Sequence, residues 1–417
     1  MIGCTKLLCG TATPSDALRY GRDISRMPHN LLQFAKDKRP IVVWNMTRRC
    51  NLRCVHCYSE SQDKEYGGEL STEEAKTFIR DLADFKAPVL LFSGGEPLIR
   101  EDLFELGKFA QGMGMRTVIS TNGTLIDLDA AQRIKDANFS YVGVSLDGIE
   151  ANNDRFRGKK GAFDAALKGI RSCRQLGVNV GLRFTINKLN FIDLPRILDL
   201  LVEEGIPRCC IYHLVYSGRG RKLMEDDLTH EETREAVDII FDKTIEFHKK
   251  GLNIEVLTVD NHTDGVYLYQ RVKRDNLERA DEVLQLLRWN GGNSSGIGIG
   301  NVDNLGYVHA DQFWKHYSFG NVRERKFSDI WMDTSDELMR GLKNRKPLLK
   351  GKCAECKYLD ICNGNFRVRA EAVYNDVWAE DPACYLTDEE IERDGKRVKS
   401  DYKADYTDVT LSKAKGL

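Results

Sequence analysis

Three cysteines, Cys50, Cys54 and Cys57, stand at a C-x3-C-x2-C spacing directly after the apolar run Pro40-Ile41-Val42-Val43-Trp44-Asn45-Met46. A loop leaving the end of a strand can fold thiolates at this spacing onto one face of a small inorganic cluster. Iron–sulfur clusters usually take four cysteines. A [4Fe-4S] cluster held by three has one iron open to another molecule. The alternative is a structural zinc site with His56 as its fourth ligand. A second set, Cys353, Cys356, Cys362 and Cys384, supplies four thiolates near the other end of the chain. Four ligands saturate either zinc or a [4Fe-4S] cluster, and a saturated cluster is suited to moving electrons rather than to binding substrate. Cys4, Cys9, Cys173, Cys209 and Cys210 have no ligand spacing. The last three lie in apolar or strand-like contexts and read as small buried hydrophobes.

The elements that must position these groups alternate. The strand before Cys50 is followed by Ser71-Thr72-Glu73-Glu74, a capping box, and by Ala75, Phe78, Ile79 and Leu82 on one helix face. Strands are expected at 88–92, 116–120, 141–145, 178–186 and 209–215, with helices at 101–113, 128–137, 162–176 and 191–204 between them. Six strands joined by helices predict a parallel sheet with right-handed crossovers, a partial (β/α)6 barrel of α/β class whose site lies at the C-terminal ends of the strands. Beyond it, a helix capped by Thr229, a strand at 254–259 and a charged helix at 267–287 lead to a glycine-rich stretch, 291–300. No Gly-Lys-Ser/Thr follows those glycines, so they read as a turn into a hairpin and not as a phosphate loop. The expected organisation is a leader over 1–38, with a helix around His29 to Ala35, a barrel over 39–227, a connection over 228–295, a cysteine-bearing domain over 296–388 and a charged tail over 389–417.

Composition narrows the function. The 417 residues carry 62 basic and 63 acidic side chains, a net charge of -1, which argues against a nucleic-acid binder. No apolar run approaches the ~18 residues of a membrane span. The N-terminal stretch is too short and polar for a signal peptide. A cytoplasmic protein with reduced thiols is expected, and its 12 cysteines are read as ligands and packing groups instead of disulfides.

Ser93-Gly94-Gly95-Glu96-Pro97 ends the second strand; its glycines allow close approach to the backbone, and Glu96 offers an acceptor. Together with Cys50-x3-Cys54-x2-Cys57 it resembles the radical S-adenosylmethionine (radical SAM) enzymes. That resemblance implies that the open iron binds SAM, which is then cleaved to a 5′-deoxyadenosyl radical. It also implies that Gly94, Gly95, Glu96, Asn122, Ser145, Arg183 and an arginine of Arg155-Phe156-Arg157 meet SAM, Arg157 being the one preferred. The later cysteines, with Gly306-Tyr307-Val308-His309-Ala310-Asp311 and Phe319-Gly320-Asn321-Val322, resemble the auxiliary-cluster region of the SPASM/Twitch subgroup. Full SPASM domains usually carry a cysteine where Asp311 stands, so one auxiliary [4Fe-4S] cluster is implied, not two. Lys6 to Thr11, Val43 to Cys50 and His309 to Trp314 narrow the resemblance to the members that trim tetrapyrrole side chains. Those are the 12,18-didecarboxysiroheme deacetylases, which form Fe-coproporphyrin III, and the related enzymes of haem d1 synthesis. SPASM peptide maturases are a further alternative. A carboxylate-rich ring suits Arg219 and Arg221 as clamps, and His213, His262, His309 and Tyr212 as proton donors or iron contacts. An electron donor such as ferredoxin or flavodoxin is implied.

Overall fold

The computed structural model describes residues 1–14, 16 and 39–391. The helix expected around His29 to Ala35 and all but the first residues of the charged tail lie outside them. Among the described residues, ten strands form one sheet: β1 (Ile2–Gly3), β2 (Ile41–Thr47), β3 (Val89–Gly94), β4 (Arg116–Thr121), β5 (Tyr141–Ser145), β6 (Val180–Ile186), β7 (Arg208–His213), β8 (Glu255–Val259), β9 (Ile299–Val302) and β10 (Val308–His309). Their order is β1-β8-β7-β6-β5-β4-β3-β2-β9-β10. From β3 to β8 each strand pairs in parallel with its predecessor. The six expected strands are β2 to β7. The parallel run then continues through β8 on one side and through β9, parallel to β2, on the other. β1 and β10 close the two edges antiparallel, and the sheet stays open.

Local sequence explains the elements. In β2 every residue after Ile41 is buried, and in β8 all five are, as parallel strands covered on both faces require. Ser71 caps the helix Thr72–Asp84: its hydroxyl accepts from Glu74 N at 3.3 Å, while Glu74 reaches back to Ser71 N at 2.8 Å. Ala75, Phe78, Ile79 and Leu82 of that helix are buried, the face read from the sequence. The helix expected at 191–204 begins later, at Leu194, because Phe191–Asp193 forms a separate tighter turn before Pro195 fixes the first helical turn.

Two features were not anticipated. The charged helix expected at 267–287 is two helices, Thr263–Asp275 and Leu277–Asn290, broken where Asn276 adopts φ -152°. Glu150–Arg157 forms a further helix. The N-terminal residues also enter the fold: Ile2 pairs with Thr258, Cys4 is fully buried, and Thr5 Oγ1 accepts from Val256 N at 2.9 Å.

The C-terminal region leans on the barrel. Phe327 packs on Phe78 at 6.2 Å, and Ser328 donates to Asp81 through N at 3.0 Å and Oγ at 2.7 Å. Deeper in, Arg369 and Asp381 form an ion pair at 2.9 Å with no exposed surface on either side chain. Arg369 also donates to Leu214 O at 3.0 Å and Asp260 O at 2.8 Å, just beyond the ends of β7 and β8.

Candidate active site

The loop after β2 carries Cys50, Cys54 and Cys57, the first two buried and the third half-buried. Backbone bonds hold its shape from two sides. Cys50 N donates to Gln62 O at 3.0 Å within the loop, and Arg53 N and Val55 N donate to Arg157 O and Phe156 O at 3.2 and 2.9 Å. From the end of β3, Gly95 N donates to Thr47 O at 2.7 Å and Glu96 N to Arg49 O at 2.8 Å. This contact explains the glycine pair. Gly94 has φ +127°, and a Cβ there would lie 2.3 Å from Thr47 O; on Gly95 it would lie 2.0 Å from Arg49 O. The close approach is therefore, in the first place, to the cysteine loop itself. Gly95→Ala is expected to push that loop away and lower iron incorporation several-fold, checked by iron and sulfide per chain after anaerobic reconstitution.

Polar groups reach the sulfurs. Asn122 Nδ2 lies 3.8 Å from Cys50 Sγ, and Arg157 Nη1 lies 3.6 Å from Cys54 Sγ. Burial pushes the Cys50 thiol up to about 12 and also raises Cys54, where Arg157 opposes the rise. Thiols that resist ionisation on their own, yet face cationic and amide donors, fit an electron-deficient iron cluster that holds them as thiolates. Arg157 is itself fixed by Asp147 at 2.6 Å, and the same carboxylate engages His56 Nε2 at 3.2 Å. Burial lowers the His56 pKa to about 4. Of the two arginines considered, Arg155 is exposed and bonded to Asn152, leaving Arg157 as the one in the site.

Glu96 is placed differently from its neighbours. It is fully buried and accepts from Thr121 Oγ1 at 2.7 Å, Asn122 N at 2.8 Å and Leu98 N at 3.1 Å. It joins the end of β3 to the end of β4 and positions Asn122, while Gly94 and Gly95 line the cavity.

That cavity, about 390 Å³, is bordered by the three cysteines and runs along the inner face of the sheet. Asn122, Ser145, Arg157 and Arg183 line it. Arg183 donates to Ser120 Oγ at 2.8 Å, and its guanidinium lies 4.7 Å from the centre of the Tyr212 ring. His213, His262, Tyr212 and Arg219 also reach it; His309 and Arg221 are not among the lining residues. His309 is bonded through Nδ1 to Tyr317 O at 2.8 Å within its hairpin, and Arg221 is exposed. Arg219 ties down the cysteine loop through Cys54 O at 2.7 Å and Ser61 O at 3.0 Å. Three acids were not singled out as site groups: Asp147, Asp260 and Asp311. Asp260, on the cavity wall, is pushed up to about 7 by burial, against the pull of Arg369. Asp311 accepts from Phe313 N at 2.8 Å and from the Ser295 hydroxyl, and lines the cavity. Their only sequence signal is position just past a strand.

The second cysteine set lies on Lys352–Glu355, Leu359–Cys362 and the loop at Cys384. Burial is the main cause that raises the Cys362 thiol, and the nearby Cys353, Cys356 and Cys384 sulfurs add to it. No three His, Cys, Asp or Glu side chains among the described residues are gathered as around a single metal ion. A four-iron cluster distributes its thiolates over separate irons.

The profile of the Radical SAM superfamily matches residues 44–201. Fe-coproporphyrin III synthase of Methanosarcina barkeri is 66% identical over 94% of this chain and 99% of that protein. The chain belongs to the radical SAM superfamily. This radical SAM enzyme is also 43% identical to the pre-heme d1 synthase of Dinoroseobacter shibae, over 84% of this chain and 87% of that one. Its fold matches that of Streptococcus suis SuiB bound to S-adenosylmethionine, with TM-score 0.66 and 17% identity over 86% of this chain and 80% of SuiB. As a member of the superfamily it uses SAM and a [4Fe-4S] cluster. Among the described residues, no helix of this radical SAM enzyme is long and apolar enough to cross a membrane.

Proposed function

We propose that this enzyme removes acid side chains from a sirohaem-derived tetrapyrrole in the cytoplasm, as a 12,18-didecarboxysiroheme deacetylase forming Fe-coproporphyrin III. The observation that carries the reading is the 66% identity, over 94% of the chain, to a protein named for that product. The 43% identity to the pre-heme d1 synthase supports a second reading, propionate removal on the same macrocycle. In either case Cys50, Cys54 and Cys57 hold the catalytic cluster. Gly94, Gly95, Asn122, Ser145, Arg157 and Arg183 border SAM, and Glu96 holds Asn122 in place. When bound, SAM and the reduced cluster supply a carbon radical able to take hydrogen from an unactivated side chain. The chain's part is to bind and orient the ring and to exclude water. Arg183 offers a carboxylate the forked donor that suits it, while Val215, Phe313 and Phe366 present an apolar wall.

Cys353, Cys356, Cys362 and Cys384 hold an auxiliary [4Fe-4S] cluster that passes electrons, and a ferredoxin or flavodoxin is the donor. Anaerobic incubation with SAM, a reductant and didecarboxysiroheme, followed by mass spectrometry, tests the reading. Loss of two acetate groups is the expected result. Altered propionates would favour the haem d1 reaction, and deoxyadenosine formed over an unchanged macrocycle would overturn both.

A further inference from the structure

His213 is the last residue of β7 and lines the cavity. Its Nε2 lies 2.8 Å from Asp264 Oδ2, and the other oxygen of that carboxylate accepts the Tyr385 hydroxyl at 2.8 Å. All three residues are buried, Asp264 completely. A carboxylate in this arrangement accepts from both neighbours, so Nε2 carries the imidazole proton and Nδ1 keeps its lone pair. Nδ1 makes no hydrogen bond within the described protein, and it is not among the buried polar atoms left without a partner. It is therefore open to the cavity. An imidazole whose far nitrogen donates to a fixed carboxylate is the arrangement that orients a metal-binding histidine and raises its basicity.

The other histidines do not match it. His262 Nε2 lies 3.1 Å from the amine of Met1, and its Nδ1 is enclosed without a partner. His56 also meets a carboxylate, but its Nδ1 is enclosed too, and its ring is tilted against Phe156 at 5.0 Å. His309 stands off the cavity.

We propose that His213 is an axial ligand, through Nδ1, to the iron of a bound tetrapyrrole, with Asp264 and Tyr385 as positioning residues. The proposal rests on the tetrapyrrole reading above and deepens it: the site selects a macrocycle that carries iron. Leu214 and Val215, which follow His213 on the cavity wall, flank the ligand with apolar surface suited to the ring.

The test uses the reconstituted enzyme, titrated anaerobically with Fe-coproporphyrin III and, separately, with metal-free coproporphyrin III. Soret absorption and the Fe–N stretch of the ferrous form are the readouts. The wild type should show a histidine-ligated iron and should bind the iron macrocycle more tightly than the metal-free one. His213→Gly should lose that signature and weaken binding about tenfold or more, and added imidazole should restore both, which a misfolded variant would not allow. Asp264→Asn should keep ligation and lower the Fe–N stretch. A wild type that binds Fe-coproporphyrin III with no histidine signature, or a His213→Gly spectrum identical to wild type, overturns this inference alone. A wild type that binds neither macrocycle overturns the tetrapyrrole reading, and this inference with it.

Discussion

Cys54→Ala is expected to remove about four irons per chain, the content of one [4Fe-4S] cluster, and to abolish SAM cleavage altogether. Cys353→Ala leaves three thiolates on the second cluster, so it should lose less iron and leave reductive SAM cleavage by a chemical reductant in place. The asymmetry follows from the ligand count. The first set has three cysteines, so the loss of one leaves two thiols to hold the cluster that binds SAM. Cys54 is also the sulfur that Arg157 reaches at 3.6 Å, so its removal leaves a buried guanidinium facing an empty position. The second set is remote in sequence and built on different elements. Iron and sulfide analysis paired with deoxyadenosine measurement checks both variants. Equal loss of SAM cleavage in the two would contradict the division of labour.

The second large effect belongs to stability. Arg369→Met should destabilise the folded state by about 3–5 kcal/mol at neutral pH, the usual consequence of leaving half of a buried ion pair. Asp381 is fully buried, and burial alone would raise its pKa; Arg369 more than offsets this and holds it below the usual carboxylate value. A carboxylate lowered in this way contributes stability above its unfolded pKa of about 3.9, and loses that contribution as pH falls through the lower folded value. In the variant the sign reverses. Without Arg369, burial raises Asp381, which takes up a proton as the pH is lowered, so the difference from wild type should narrow on acidification. Urea unfolding of both proteins at neutral pH and at about pH 5 measures it. A gap that stays constant or widens would mean that Asp381 is not the group left uncompensated. Arg369 also holds Leu214 O and Asp260 O, so the variant should lose cavity order along with stability.

Much of this was legible in the sequence because it depends on short-range chemistry. The C-x3-C-x2-C loop, the glycine pair, the capping box at Ser71, the helix cap at Thr229 and strands β2 to β7 follow from spacing and propensity. Helix ends moved where a proline or a tight turn intervened, as at Pro195, and one helix became two at Asn276, where no apolar period marked the break. Long-range partnerships were not legible. Nothing near Asp147 announces that it fixes Arg157 and His56, and nothing near Asp381 announces Arg369. Glu96 was read as an acceptor for a ligand. The fold also gives it three protein donors, an outcome that depends on where β4 lands. His309 and Arg221 show the same limit from the other side: suitable residue types whose placement keeps them out of the cavity.

The pairing of β9 with β2 bears on how the protein is made. The strand that launches the cysteine loop has β3 on one flank and, on the other, a partner that does not exist until the ribosome has reached Ile299. Until then an apolar strand edge beside three thiols stays uncovered, and long-range parallel pairing of this kind forms slowly. The emerging chain is therefore most open to iron delivery, and most vulnerable to oxidation and misassociation, during the same interval. An uncovered apolar strand edge is a site of misassociation, so slowing translation before Ile299 should raise aggregation of the nascent chain.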